Sequence, residues 1–167
     1  LIGLVGSEMC IRDSPYPGYH AMAVTACMGH GDAKIVAELP AAFDPSKILF
    51  VGLRNWERGE IKARQHQYGI KHLTPEEVAA DSDALRAWLK SCGASKVVVH
   101  FDMDVLDPAE IVAAVGTDPD GMKIEAVIRV INDIAAEKEL VGLTVAEPMP
   151  RTAIRLRDML GRLPLLE

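Results

Sequence analysis

Apolar and polar positions divide this chain into two kinds of segment. Short, largely apolar runs lie at residues 47–53 (K-I-L-F-V-G-L), 97–102 (V-V-V-H-F-D) and 140–146 (L-V-G-L-T-V-A), with a shorter one at 69–73. Runs of that length, rich in β-branched residues and bounded by Gly, Pro or Asp, read as strands buried on both faces, as in a parallel sheet. Between them lie helix-length segments at 20–28, 33–39, 57–67, 83–90, 124–137 and 152–160, and a further helix opening at Thr74. In 83–90 the inward stripe is Leu85, Trp88 and Leu89; in 124–137 it is Val127, Ile128, Ile131 and Ile134. The 57–67 segment is polar and reads as a solvated helix. Thr74-Pro75-Glu76-Glu77 has a cap, a proline at the first turn and a glutamate at the third position, while Gly29 and Gly93 stand near helix ends. Strands alternating with helices predict βαβ units. The expected fold is therefore a three-layer α/β/α arrangement around a parallel sheet.

Composition narrows the class without naming a function. A chain of 167 residues fits one domain with a substantial core, and 49 % apolar with 25 % charged residues is ordinary for a globular protein. A formal net charge of −6 argues against nucleic-acid or anionic-membrane partners. No apolar run reaches membrane-spanning length. Cys10, Cys27 and Cys92 are odd in number and lack C-x-x-C spacing, which suggests a reducing compartment and a cytosolic location. Residues 6–14 carry no periodicity, and S-E-M-C-I-R-D-S resembles a translated sequencing-adapter artefact. Residues 1–14 are therefore expected to be non-native. Residues 15–167 would then be the C-terminal part of a single domain, incomplete at its N-terminus.

The chemistry concentrates in V-V-V-H-F-D-M-D-V-L-D-P, residues 97–108. On a strand, Asp102 and Asp104 would point the same way, about 6–7 Å apart. Paired carboxylates in apolar surroundings resist ionisation unless a cation neutralises them, and ligands of open α/β sheets gather beyond the carboxyl ends of the strands. The pair reads as two ligands of a hard divalent metal. A D-x-D alone does not choose among metallohydrolases, haloacid-dehalogenase-like phosphatases and nucleotide-sugar transferases. Asp107, Pro108 and Glu110 read as structural: the cap, first and third positions of a following helix. Glu147 closes the last strand and points to the same rim, which the loop starting at Arg54-Asn55-Trp56 also faces. His20 opens the first helix, where a histidine could shuttle protons near neutral pH.

These pieces, in this order, resemble the arginase/agmatinase (ureohydrolase) family. Its S-F-D-x-D-x-x-D-P strand is matched by H-F-D-M-D-V-L-D-P, with His100 at the family's serine position. Its G-T-P-x-x-G-G loop is echoed in Gly116-Thr117-Asp118-Pro119-Asp120-Gly121, and its G-L-x-x-x-E strand in Gly142 to Glu147. The H-G-x-P segment is approximated by His20-Ala21-Met22-Ala23, and V-G-L-R-N-W and Y-G-I-K-H-L fall in the family's order. The resemblance implies that Asp102 and Asp104 bind a pair of Mn²⁺ ions, which lower the pKa of a shared water. It further implies that Glu147 binds the guanidinium group of an arginine-like substrate and that His20 passes a proton to the leaving amine. The products would be urea and an amine, and the assembly a homo-oligomer. The family's G-G-D-H and D-A-H-x-D segments, which contribute the remaining ligands, do not occur here. The 167-residue chain itself is thus expected to be inactive.

Two other readings compete. A haloacid-dehalogenase-like phosphatase would use Asp102 as nucleophile and Asp104 as general acid/base on Mg²⁺. It calls for Thr or Val where Leu106 stands, and for a downstream D-D pair that is absent. A degenerate, non-catalytic member serving binding or oligomerisation would accommodate the His100 and His20-Ala21 departures.

Overall fold

The computed structural model describes residues 2–4, 22–56, 59–149 and 153–166. The strands in chain order are β1 (Ile2–Leu4), β2 (Leu49–Val51), β3 (Lys71–Leu73), β4 (Lys96–Asp102) and β5 (Glu139–Ala146). The helices are α1 (Ala23–Cys27), α2 (Ala33–Ala37), α3 (Gly59–Tyr68), α4 (Asp83–Ser91), α5 (Ile124–Glu137) and α6 (Ala153–Leu160). All five strands run parallel in one sheet, in the order β3-β2-β1-β4-β5.

Leaving residues 1–14 out of the fold therefore omits the middle strand. Ile2 pairs with Leu49 on one side and Val99 on the other. A three-residue strand shows no readable period, and its place is set by partners far along the chain. Residues 5–14, including the adapter-like string, lie outside the described residues.

Strand periodicity builds the two flanking layers. Leu49 and Val51 of β2 join Val97, Val99 and Phe101 of β4 in a core closed by Leu85, Trp88 and Leu89 of α4, the inward residues of α5, and Leu156 and Met159 of α6. Phe50 between them faces the other way, toward Met22, Val24, Met28 and Ile61 beside α1 and α3. The expected α/β/α layering is present. Both predicted stripes, on α4 and α5, are buried.

Elsewhere local signals were overruled. Thr74 and Glu77 form the expected reciprocal cap, with Thr74 N–H donating to Glu77 Oε2 at 2.7 Å and Glu77 N–H to Thr74 Oγ1 at 3.4 Å. Only a 3-10 turn, Glu76–Val78, follows it. A cap satisfies donors but does not propagate a helix. Helix α2 is short and buries no residue, leaving Ile35 exposed. Strand β4 is fully buried on one face only; Val98 and His100 on the other are half-buried, and His100 Nδ1 lies 2.7 Å from Thr144 Oγ1.

The polar helix α3 hides a buried network that periodicity did not reveal. Gln65 is buried, its Oε1 accepting from Trp56 Nε1 at 2.7 Å. Because indole N–H only donates, the amide nitrogen of Gln65 must serve Ile70 O and His72 Nδ1, both at 3.1 Å. His72 is thereby an acceptor at Nδ1 and neutral. Burial lowers its pKa from the ordinary 6.5, with His66 and Lys62 adding to the effect and Glu77 opposing it. A depressed histidine stabilises the fold fully above the unfolded value, and that contribution is lost as pH falls through the folded value. The thermal midpoint should therefore drop more steeply from pH 7 to pH 5 in the unaltered chain than in His72→Gln. Parallel pH profiles for the two would contradict this.

Candidate functional site

A bulge sets the register at the carboxyl ends of β4 and β5. Leu140 pairs with Val97, but Gly142 pairs with Val98, so Val141 is the extra residue. Continuing the first register would set Asp102 opposite Val145; the bulge instead sets it opposite Ala146. Glu147 follows one residue beyond, exposed and in the left-handed region at φ 58°. A one-residue slip would turn every side chain of the strand to the other face. The bulge thus decides which residues share the rim.

The D-x-D is not two positions of one strand. Strand β4 ends at Asp102, and Met103–Val105 form a 3-10 turn. Asp102 caps that turn, its Oδ1 accepting the Asp104 amide at 3.1 Å. Asp104 is oriented by turn geometry instead of strand alternation, because a buried Asp offers the freed backbone donors a partner two residues on. Asp102 is buried and Asp104 half-buried.

Asp107 is structural, though no helix follows it. Its Oδ1 accepts from Ala109 N at 2.9 Å and its Oδ2 from Lys123 Nζ at 2.5 Å. The Lys123 hydrogen bond first, and the Ala109 amide second, hold its carboxyl below the usual range. Glu110 instead caps α5 from a distance, its Oε2 accepting the Ile124 amide at 2.8 Å. The chain turns back here because Leu106 bridges to Met122, with Asp107 N–H donating to Met122 O at 2.9 Å. Gly121 permits this: a Cβ there would lie 2.6 Å from Leu106 C and Asp107 N.

Loops from three strand ends, those of β2, β4 and β5, meet at this edge of the sheet. A Cβ on Gly116 would lie 3.2 Å from Asp104 Cβ, so the 116–121 loop backs directly on that side chain. Arg54, beyond β2, donates to Pro119 O at 2.8 Å, Asp118 O at 2.6 Å and Asp104 O at 3.1 Å. Met149 N–H donates to Ala113 O at 2.8 Å, joining the loop after β5 to the one after β4. Gly52, at φ +86°, packs under the turn; a Cβ there would meet Val105 Cγ2 at 2.3 Å. Both residues stand in V-G-L-R-N-W, but the sequence assigns neither a role beyond Arg54's place in a loop facing the rim. Asp102, Asp104 and Glu147 come to one rim, whereas His20 lies outside the described residues.

Carboxylate oxygens suit a hard ion such as Mn²⁺. Among the described residues, no group of three or more His, Cys, Asp or Glu side chains could hold a metal ion. Asp102 and Asp104 therefore fit as part of an oxygen-rich site that the described residues do not complete.

Together these features define a parallel α/β protein carrying acidic residues at the carboxyl rim of its sheet. The Arginase family model matches residues 12–158, and the chain belongs to that family. An arginase from Entamoeba histolytica is 27 % identical over 144 residues, covering 84 % of this chain and 48 % of that protein. The chain thus spans about half the length of that relative. Among solved structures, Entamoeba histolytica arginase in complex with L-ornithine superimposes with a TM-score of 0.83 at 20 % identity, over 97 % of this chain and 59 % of that one. Bacillus subtilis arginase gives 0.79 at 16 %, over 90 % and 54 %. A hypothetical agmatinase from Burkholderia thailandensis gives 0.64 at 20 %, over 90 % and 42 %. At such identities these structures speak for the fold. No helix among the described residues is long and apolar enough to cross a membrane.

Proposed function

We propose that this chain is the C-terminal part of a manganese-dependent ureohydrolase that cleaves a guanidino C–N bond to release urea and an amine. Family membership supports the reaction class. The observation that carries the assignment is the bulged register that sets Glu147 one residue beyond Asp102's partner, with Asp104 in the turn that follows Asp102. When bound, divalent ions supply an activated water and stabilise developing charge. Asp102 and Asp104 hold them, and the turn geometry keeps the two carboxylates at fixed relative positions. Glu147 pairs with the planar guanidinium of the substrate, a match that favours two parallel hydrogen bonds. His20 delivers a proton to the departing amine nitrogen. The partner is a small guanidino compound, the setting cytosolic and the assembly a homo-oligomer. With family membership established, nothing supports the phosphatase reading.

The decisive comparison is between this chain and a version extended upstream to the length of its relatives. The extended protein should copurify with close to two manganese ions per chain and release urea. The 167-residue chain should bind Mn²⁺ weakly and release none. Urea release by the short chain in excess Mn²⁺ would show that its site is already complete. An extended protein devoid of metal would instead make it a non-catalytic binding or oligomerisation subunit.

A further inference from the structure

We infer that Arg54 is a positioning residue for the metal-binding turn, holding Asp104 in ligating place by fastening that turn to the 116–121 loop. The inference rests on the hydrolase reading above. A guanidinium carries five N–H donors in a rigid planar fork. Here Nε donates to Pro119 O at 2.8 Å, and Nη2 donates to Asp118 O at 2.6 Å and Asp104 O at 3.1 Å. Nη1 reaches Val105 O at 3.5 Å. All four acceptors are backbone carbonyls, two on each segment. The fork therefore fixes the path of two stretches of main chain at once.

What those stretches do gives the clamp its meaning. One is the turn that carries Asp104 itself. The other begins at Gly116, whose backbone forms the wall behind the Asp104 side chain. Asn55, the next residue, adds a longer contact from Nδ2 to Asp118 Oδ2 at 3.4 Å. A cation beside a metal site works against metal binding by simple charge repulsion, so its value here is geometric. The planar fork supplies what a lysine cannot. A lysine would keep the charge as a point donor with three N–H groups, lose the planar fork and release at least one of the four carbonyls.

The test is Arg54→Lys in the version extended upstream to the length of its relatives. Mn²⁺ affinity is read by electron paramagnetic resonance titration. Amide hydrogen exchange is read at residues 103–106 and 117–120, and the thermal midpoint is recorded alongside. Support for an orienting group around a metal ligand is typically worth about 10–100-fold in affinity. The expected result is a loss of about tenfold in Mn²⁺ affinity, with faster exchange confined to those two segments and a nearly unchanged midpoint. Unchanged affinity with both segments still protected would overturn the inference. So would an affinity loss accompanied by faster exchange throughout the sheet, which marks general destabilisation. Failure of the unaltered extended protein to bind Mn²⁺ at all would overturn the metal reading, and the inference with it, before the variant is compared.

Discussion

Gly52→Ala is expected to destabilise the fold by roughly 2–4 kcal/mol, summing left-handed backbone strain and overpacking. Gly52 sits at φ +86°, a region that residues with a Cβ rarely adopt. Its added methyl would also fall 2.3 Å from Val105 Cγ2 and 2.8 Å from Met122 Sδ. Val105 ends the 3-10 turn and is fully buried, so it has no room to withdraw. The collision must move the turn, the Leu106–Met122 bridge, or both. Gly59→Ala is the natural control, since a Cβ there meets nothing within 4 Å. Chemical denaturation of both variants decides the matter. Equal midpoints would mean that Gly52 does not support the turn.

Asp104→Asn and Asp102→Asn carry the second large effect, this time on activity. Asparagine keeps the shape of the side chain, and at position 102 it can still accept the Asp104 N–H that caps the turn, so folding should survive. What it removes is the negative charge a divalent ion needs. Lewis-acid stabilisation is worth several kcal/mol, which translates to a loss on the order of 10³-fold in urea release by the extended protein. Metal analysis should fall below two ions per chain in either variant. Full metal content and near-normal rates in Asp104→Asn would remove that residue from the site.

These two predictions draw on different layers of information. The carboxylates were legible in one dimension, because D-x-D after three valines and a His-Phe pair is a chemically unusual string. Gly52 was not. Its importance depends on Val105 and Met122, which approach it only once β2 and β4 share a sheet. Arg54 is similar: its acceptors lie 50 to 65 residues away, and nothing in V-G-L-R announces them. The Gln65–His72 network escaped for the same reason, since a buried glutamine on a polar helix follows no period.

The sequence by itself determined the layered α/β class, the inward faces of α4 and α5, and the acidic residues available for metal chemistry. Those are consequences of local pattern: side-chain period, β-branching and charge act over a few residues and need no partner to be read. Only the tertiary structure decided that Ile2–Leu4 is the middle strand. It also decided that a bulge at Val141 sets Glu147 one residue beyond Asp102's partner, and that Asp104 belongs to a turn instead of a strand. Each of these depends on hydrogen-bond register and close packing between segments distant in the chain. A shift of one residue there changes the site while leaving every local propensity untouched.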